Sequence, residues 1–187
     1  MSPRSFDELE AHLDVLRAAP RDEGTLALLV RRPVEDAREV LTDAVLDAEK
    51  GLLGDRWASG PQRFLPDGSV DRHNQLNVMS YRMVSFLAET PEGQSLAGDQ
   101  LYLELDLSVE NLPPGSQIAI GEAVIEVSKK PHTGCSKFNA RFGEDARAFV
   151  NSEAGRELRL RGLNASIVSG GTVRAGDPVR VLSRPQD

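Results

Sequence analysis

The sequence predicts a mainly β protein, a barrel or sandwich of largely antiparallel strands with a few peripheral helices. Leu101, Leu103, Leu105 and Leu107 alternate strictly with other residues, which is the period of a strand. Pro-Pro-Gly at 113–115 and Gly-Gly at 170–171 separate short apolar runs, as tight turns between strands do. The chain has 187 residues and 40% hydrophobic content, enough for the core of one domain.

The first segment is predicted to be an amphipathic helix. Ser5 stands three residues before Glu8, the spacing of a capping box. Four apolar residues share one helical face, and the helix is expected to end near Pro20: Phe6, Leu9, Leu13 and Leu16. We therefore expect residues 1–23 to form a helical extension that precedes a barrel domain over residues 24–187.

The following segments are predicted in chain order. GTLALLVRRP, from Gly24, is apolar enough for a strand buried on both faces. QLNVMS (75–80) predicts a second strand and YRMVSFLAET (81–90) a short helix. The region from Leu101 to Val127 is expected to form central hairpins, with Leu101 to Leu107 half-buried. Helical spacing near Asp145 precedes short β runs over residues 165–182.

Composition restricts the classes of function. The formal net charge of −7 argues against general nucleic-acid binding, which needs clustered Lys and Arg. No apolar run approaches the roughly 18 to 20 residues that cross a bilayer, so no membrane association is expected. One cysteine builds no intramolecular disulfide, which is consistent with a cytoplasmic protein whose thiol is free for chemistry.

That cysteine, Cys135, lies in KKPHTGCSKFNAR (129–141), a cationic segment with no acidic residue. Thiols react and bind metals as thiolates, and nearby positive charge lowers a thiol pKa from its usual value of about 8.5. Pro131 and Gly134 predict a loop that leaves a sheet edge and presents Cys135 to a cleft. The side chains expected to supply the charge are Lys129, Lys130, His132, Lys137 and Arg141. The alternative is a small buried cysteine with a solvated rim of lysines.

Two other patterns bear on function. Cys135 and Arg141 are separated by five residues, as in cysteine-dependent phosphatases, but the segment between them has no glycine to let its N–H groups turn around a phosphate. KGLLGDRW (50–57) offers a glycine turn, with Arg56 as an anion donor that Asp55 could orient. The alternative for this turn is a plain Asp–Arg surface pair. His73 offers a polar contact near a strand, or is an exposed loop histidine.

Four segments in this order resemble the MOSC domain, named for the C-terminal domain of molybdenum cofactor sulfurase. They are KGLLGDRW, HNQLNVMS, the stretch from AGDQL to PHTGC, and VRAGDPVRVL. The resemblance covers approximately Gly24 to Leu182 and is closest to stand-alone bacterial members. It implies a MOSC-like β-barrel in which one cysteine, here Cys135, ligates molybdenum or handles sulfur. Many members place that cysteine directly after a proline, whereas HTG intervenes here.

The resemblance implies binding of the molybdenum cofactor (molybdopterin), whose phosphate, dithiolene and oxo groups call for cations and a soft ligand. Cys135 is the expected catalytic residue and metal ligand, and the expected cofactor-binding residues are Arg56, His73, Lys130, His132, Lys137 and Arg141. The family also brings an association with pyridoxal phosphate. Two functions stay open: reduction of small N-hydroxylated substrates with a separate electron-transfer protein, or a non-catalytic carrier of cofactor or sulfur.

Overall fold

The computed structural model describes residues 3–185, which contain eleven strands and seven α-helices. The strands are β1 (Glu23–Arg31), β2 (Glu39–Leu41), β3 (Asp43–Asp47), β4 (Gly51–Leu52), β5 (Leu76–Ser80), β6 (Leu101–Glu104), β7 (Gln117–Ile120), β8 (Ala123–Val127), β9 (Leu163–Ser169), β10 (Gly171–Arg174) and β11 (Pro178–Ser183). The helices are α1 (Phe6–Ala11), α2 (Leu13–Arg17), α3 (Tyr81–Leu87), α4 (Pro91–Ser95), α5 (Ser136–Phe142), α6 (Glu144–Asn151) and α7 (Glu153–Glu157). The outermost positions of the two predicted regions, 1–2 and 186–187, lie outside the described residues.

Seven of the described strands close into a barrel, which confirms the predicted fold class. Their order is β11-β7-β8-β9-β5-β6-β1, and pairing of β1 with β11 closes the ring. All of these pairs are antiparallel except β5–β6, whose parallel pairing needs the crossover that α3 and α4 supply. The first residues of β1 pair with β11 and its last residues pair with β2, which extends the wall. A second sheet has the order β10-β3-β4.

Strand β1 separates two apolar clusters, as its continuous run of apolar residues predicts. Leu26 and Leu29 point into the barrel, where they pack in one cluster with leucines and isoleucines of the other strands. Leu28 and Val30 point outwards, into a second cluster formed with the helices. A β-bulge between Leu26 and Leu28 adjusts the alternation. The helices therefore cover one side of the barrel wall.

The prediction that the strand at Leu101 is half-buried is wrong for its outer face. Leu101 and Leu103 lie in the barrel core, but Tyr102 is also fully buried, in the cluster beneath the helices. The strand ends at Glu104 and pairs with β1 and β5, so β7–β8 is the only hairpin of this region in the described chain. Period-two alternation reports the polarity of residues, and it does not reveal that helices cover the outer face.

Helices lie at the predicted positions, and a further helix follows Cys135. Ser5 and Glu8 form both hydrogen bonds of the capping box at the start of α1. Helix α3 follows β5 directly, and α6 lies at Asp145. Residues 136–142, for which the sequence analysis names no helix, form α5. Among residues 3–185, no helix is long and apolar enough to cross a membrane.

We predict that Gly162→Ala strongly destabilises the barrel. Gly162 has φ of +106°, and a Cβ there would lie 2.2 Å from the carbonyl oxygen of Val78 in β5. The strain of positive φ alone costs about 1–3 kcal/mol, and the backbone contact adds to it. Gly176→Ala is the matched control, since Gly176 has φ of +93° and open space around it. Urea unfolding should show a clearly larger loss for Gly162→Ala; equal losses would contradict the close-contact argument.

Candidate functional site

Cys135 is exposed and stands at the N-cap position of α5, at the end of the loop that leaves β8. Hydrogen bonds hold this loop from two sides. Asn164 of β9 donates its Nδ2 hydrogens to the carbonyl oxygens of Lys130 and Pro131, both at 3.1 Å. Asn151 of α6 accepts the N–H of Gly134 and donates to its carbonyl oxygen, both at 3.0 Å. The sulfur therefore occupies a defined place at the junction of barrel and helices, and the buried-cysteine alternative is wrong.

Cys135 opens into a cavity of about 450 Å³, which we call the Cys135 cavity. Six cationic side chains line it: Arg32, Arg38, Arg56, Lys130, Lys137 and Arg161. Within the described chain, no aspartate or glutamate lines this cavity. The amides of Asn74, Asn77 and Asn164 and the ring of His132 add polar atoms. Such a lining favours an anionic ligand with several hydrogen-bonding groups.

Asp99, fully buried in the turn before β6, fixes two of the lining groups. Its Oδ2 accepts from Nη1 of Arg161 at 2.6 Å, and its Oδ1 lies 2.8 Å from Nε2 of His132. Burial raises the pKa of Asp99, but the charge of Arg161 and the contact with His132 outweigh it, so that the pKa lies below its usual value. Arg161 also donates to the carbonyl oxygen of Ala97 and lies over the ring of Phe138.

The charge state of His132 follows from the same arrangement. Burial lowers its pKa and the charge of Arg161 lowers it further, against the opposing effect of Asp99, so the ring is neutral at pH 7. Because the Asp99 carboxylate only accepts, the single ring proton of His132 is on Nε2. Its Nδ1 then carries a lone pair, and His132 can accept a proton at that atom.

The pKa of the Cys135 thiol lies below its usual value. Partial burial raises it, but the backbone N–H groups of Phe138 and Lys137 and the charge of Arg161 together outweigh burial. The sequence predicts this direction but names other sources, since Lys130, His132 and Arg141 were expected to provide the charge. The acting side chain is Arg161, which enters from the segment before β9.

The glycine turn of KGLLGDRW is present, and its acidic residue has a different partner from the predicted one. Gly51 and Gly54 both have positive φ, as the turn requires. Asp55 is buried and accepts from Nε and Nη2 of Arg32, each at 2.9 Å, so it orients Arg32 and not Arg56. Arg32 in turn donates to Oδ1 of Asn77 at 2.7 Å. The expected pair of Asp55 with Arg56 does not form; the pair with Arg32 is buried and bidentate, and it ties the turn to the barrel.

The structure brings together most of the residues that the sequence selects. Arg56, Lys130, His132, Lys137 and Cys135 all line the Cys135 cavity. Two of them are held by carboxylates outside it, Lys130 by Asp71 at 2.8 Å, and Lys137 by Glu35 and Asp36 at 2.7 and 3.1 Å.

Two predicted residues lie elsewhere. His73 is exposed and does not line the cavity. Arg141 donates to the carbonyl oxygen of Leu96 at 2.8 Å and to Asp36 at 3.0 Å, outside the cavity. It follows Cys135 on α5, so the intervening N–H groups belong to a helix and form no loop around a phosphate. The geometry therefore gives the phosphatase alternative no support.

Sequence reasoning missed Arg32, Arg38, Arg161 and Asp99. Asp99 belongs to AGDQL, a segment that supports the resemblance to the MOSC domain but for which the sequence analysis predicts no role of its own. Arg161 is one arginine among several in RELRLRG, and nothing in that stretch distinguishes it. The signal that could have found Asp99 is an acidic residue two positions before an apolar strand, because a carboxylate buried there needs hydrogen-bonding partners.

The comparisons with known proteins concern the family and the fold of the chain. The model of the MOSC domain matches residues 75–180, more than half of the chain. This chain belongs to the MOSC domain family. No curated protein matches it.

Solved structures resemble this MOSC domain protein over most of its length. YiiM from Escherichia coli is 24% identical with a TM-score of 0.56, over 88% of this chain and 72% of that chain. The YUAD protein APC1665 from Bacillus subtilis is 16% identical with a TM-score of 0.57, over 85% and 95%. A structure described as a hypothetical protein is 23% identical with a TM-score of 0.59, over 89% and 70%. At such identities the likeness shows the fold.

We predict that Cys135 of this MOSC domain protein is alkylated faster at neutral pH than an ordinary thiol. Its lowered pKa increases the thiolate fraction at pH 7, so the rate with iodoacetamide should rise with pH through a midpoint below about 8.5. The same chain in urea is the control, because unfolding removes Arg161 and the α5 backbone from the sulfur. A native midpoint equal to or above the unfolded one would contradict the prediction.

We also predict that His132 makes stability pH-dependent. Its pKa is lowered in the folded chain, so below about pH 6.5 the unfolded chain binds a proton that the folded chain does not. The free energy of unfolding should therefore decrease as pH falls from 6.5 towards the folded pKa. His132→Gln, whose amide still donates to Asp99, should reduce this loss in urea unfolding at several pH values. His73→Gln, at an exposed position, serves as the control and should keep the wild-type loss.

Proposed function

We propose that this protein binds the molybdenum cofactor in the Cys135 cavity, with Cys135 as the thiolate ligand of the metal. The observation that carries the proposal is the placement of the chain's single cysteine, with a lowered thiol pKa, at the mouth of a cavity lined by six cations. Thiolates suit such metals as soft ligands, and clustered cations suit the anionic groups of a pterin cofactor.

The donor atoms of the cavity fit an anionic occupant. Nε of Arg38 and Nε of Arg161 are both buried without a hydrogen-bond partner. Burial lowers the pKa of Arg38, and the charges of Arg141 and Arg32 lower it further. In the described chain, neither Arg38 nor Arg56 forms an ion pair with a carboxylate. A phosphate placed against these two arginines would satisfy unpaired donors and relieve cationic repulsion.

The residues of the chain have separable roles in this proposal. When bound, the cofactor supplies two-electron redox chemistry at the metal. Arg38 and Arg56 hold the anionic end, and the amides of Asn74 and Asn77 offer hydrogen bonds to a heterocycle. The backbone N–H groups of Phe138 and Lys137 and the charge of Arg161 favour the thiolate of Cys135, and Nδ1 of neutral His132 is available as a proton acceptor in the same cavity. Asp99 holds His132 and Arg161 in place.

The finer proposal is reduction of small N-hydroxylated compounds in the cytoplasm, with a separate protein as electron donor. The alternative is a carrier that takes sulfur on Cys135 as a persulfide and passes it on, without turnover. The unpaired arginines favour the cofactor, because a persulfide sulfur alone needs no phosphate-binding group. Pyridoxal phosphate is left out of the proposal, because the two lysines of the cavity, Lys130 and Lys137, are held by carboxylates.

The test is metal and pterin content after expression in cells that make the molybdenum cofactor. Wild-type protein should retain molybdenum and pterin in matching amounts, measured by elemental mass spectrometry and by fluorescence of the oxidised pterin. Cys135→Ser should lose the metal and Arg38→Gln should reduce both, while Cys135→Ser changes the melting temperature little because the thiol is exposed. Arg147→Gln, at an exposed position outside the cavity, is the matched control for Arg38→Gln.

Further measurements separate the alternatives. Intact mass spectrometry under non-reducing conditions would show an added sulfur atom on Cys135 if the protein is a carrier. Reduction of benzamidoxime by the loaded protein with a chemical reductant would support the finer proposal. Retention of molybdenum and pterin at wild-type levels by Cys135→Ser would overturn the assignment of Cys135 as the ligand.

A further inference from the structure

A second cavity, of about 500 Å³, lies beside the Cys135 cavity. The two share residues 130–133 and Arg161, but Cys135 does not line the second one. Val150 and Leu163 form a buried apolar part of its wall, and Val109 adds an exposed part. Its other lining residues come from the start of the loop after β8, from α6 and α7, and from the segment before β9. We call it the second cavity.

The second cavity has an excess of positive charge. Five cations line it, and no aspartate or glutamate of the described chain does: Lys129, Lys130, Arg156, Arg159 and Arg161. Lys130 and Arg161 are neutralised by Asp71 and Asp99. In the described chain, the other three have no carboxylate partner, and Arg159 donates only to the carbonyl oxygens of Leu107 and Leu112. Burial lowers the pKa of Arg159, because the charged guanidinium is poorly solvated there and has no carboxylate partner in the described chain.

Two buried polar groups of the lining have no partner. Oγ of Ser128 and Nε of Arg161 make no hydrogen bond, and the two residues are only 7% and 5% exposed. Buried polar atoms are almost always paired, because an unpaired one costs about 1–3 kcal/mol. Both residues belong to the lining of the second cavity, so the hydrogen-bonding capacity of this wall is not met within the described chain. Unpaired polar groups together with surplus positive charge are typical of a ligand-binding site and are not expected of a plain surface crevice.

We propose that the second cavity binds a small organic anion, with a carboxylate or phosphate group against Lys129, Arg156 and Arg159 and an apolar body against Val150 and Leu163. Concave cavities of this size with an apolar wall and a few polar groups are typical of small-molecule sites. The second cavity is distinct from the proposed cofactor site, because Cys135, Arg38 and Arg56 do not line it and the two cavities share only Arg161 and residues 130–133.

The test uses the purified full chain with benzoate and phenyl phosphate as anionic probes and benzamide as a neutral probe of similar shape. Calorimetric titration should show saturable binding of at least one anion and much weaker binding of benzamide. Arg156→Gln should weaken that binding about tenfold, the loss expected for one charge-assisted hydrogen bond. Arg156 is exposed and its charge has no partner in the described chain, so the variant should fold normally.

Lys137→Gln is the matched control, because Lys137 lines the Cys135 cavity and not the second one. This variant and Cys135→Ser should bind the anion as the wild type does. The proposal is overturned if neither anion binds saturably, if benzamide binds as well as benzoate, or if Lys137→Gln weakens binding as much as Arg156→Gln. A melting curve for each variant confirms that a loss of binding is not a loss of folding.

Discussion

The arrangement of the site depends on one buried carboxylate, Asp99. It lies in the turn before β6 and accepts from Arg161, which precedes β9, and from His132, in the loop after β8. Three distant parts of the chain therefore meet at two oxygen atoms. Removing one member of such a buried pair leaves the other charge uncompensated, at a cost of about 3–5 kcal/mol. Both cavities are built around the residues that this carboxylate holds.

Arg161 links the electrostatics of the two cavities. It lines both of them, its charge lowers the thiol pKa of Cys135, and its Nε has no partner. An anion near this guanidinium reduces the positive potential at the sulfur, since the two share a poorly solvated environment. The apolar cluster around Phe138 keeps Arg161 largely away from water and so preserves this effect.

The sequence predicts the barrel and half of the site, and the reason for each failure is physical. Period-two patterns and turn residues are local, so the strands at Leu76 and Leu101 were found. The burial of Tyr102 depends on helices far along the chain, which a local pattern does not contain. His73 and Arg141 were chosen for residue type and nearness in sequence, whereas the fold turns both away from the cavity. Arg38 and Arg161 reach it only through long-range packing, and no local pattern distinguishes them.

The two hydrogen bonds between Gly134 and Asn151 have a consequence for any exchange of a chemical group between this protein and a partner. Asn151 pairs with both backbone groups of Gly134, and a Cβ on Gly134 would lie 2.9 Å from Val150, so the backbone beside Cys135 is pinned to α6. Because the backbone beside it is held in place, the thiol does not move outwards to reach another protein. Whatever delivers a group to the exposed sulfur, or removes one, must therefore bring its own reacting atom to the position that α6 fixes. The partner supplies the movement in such an exchange, and the thiol stays in place.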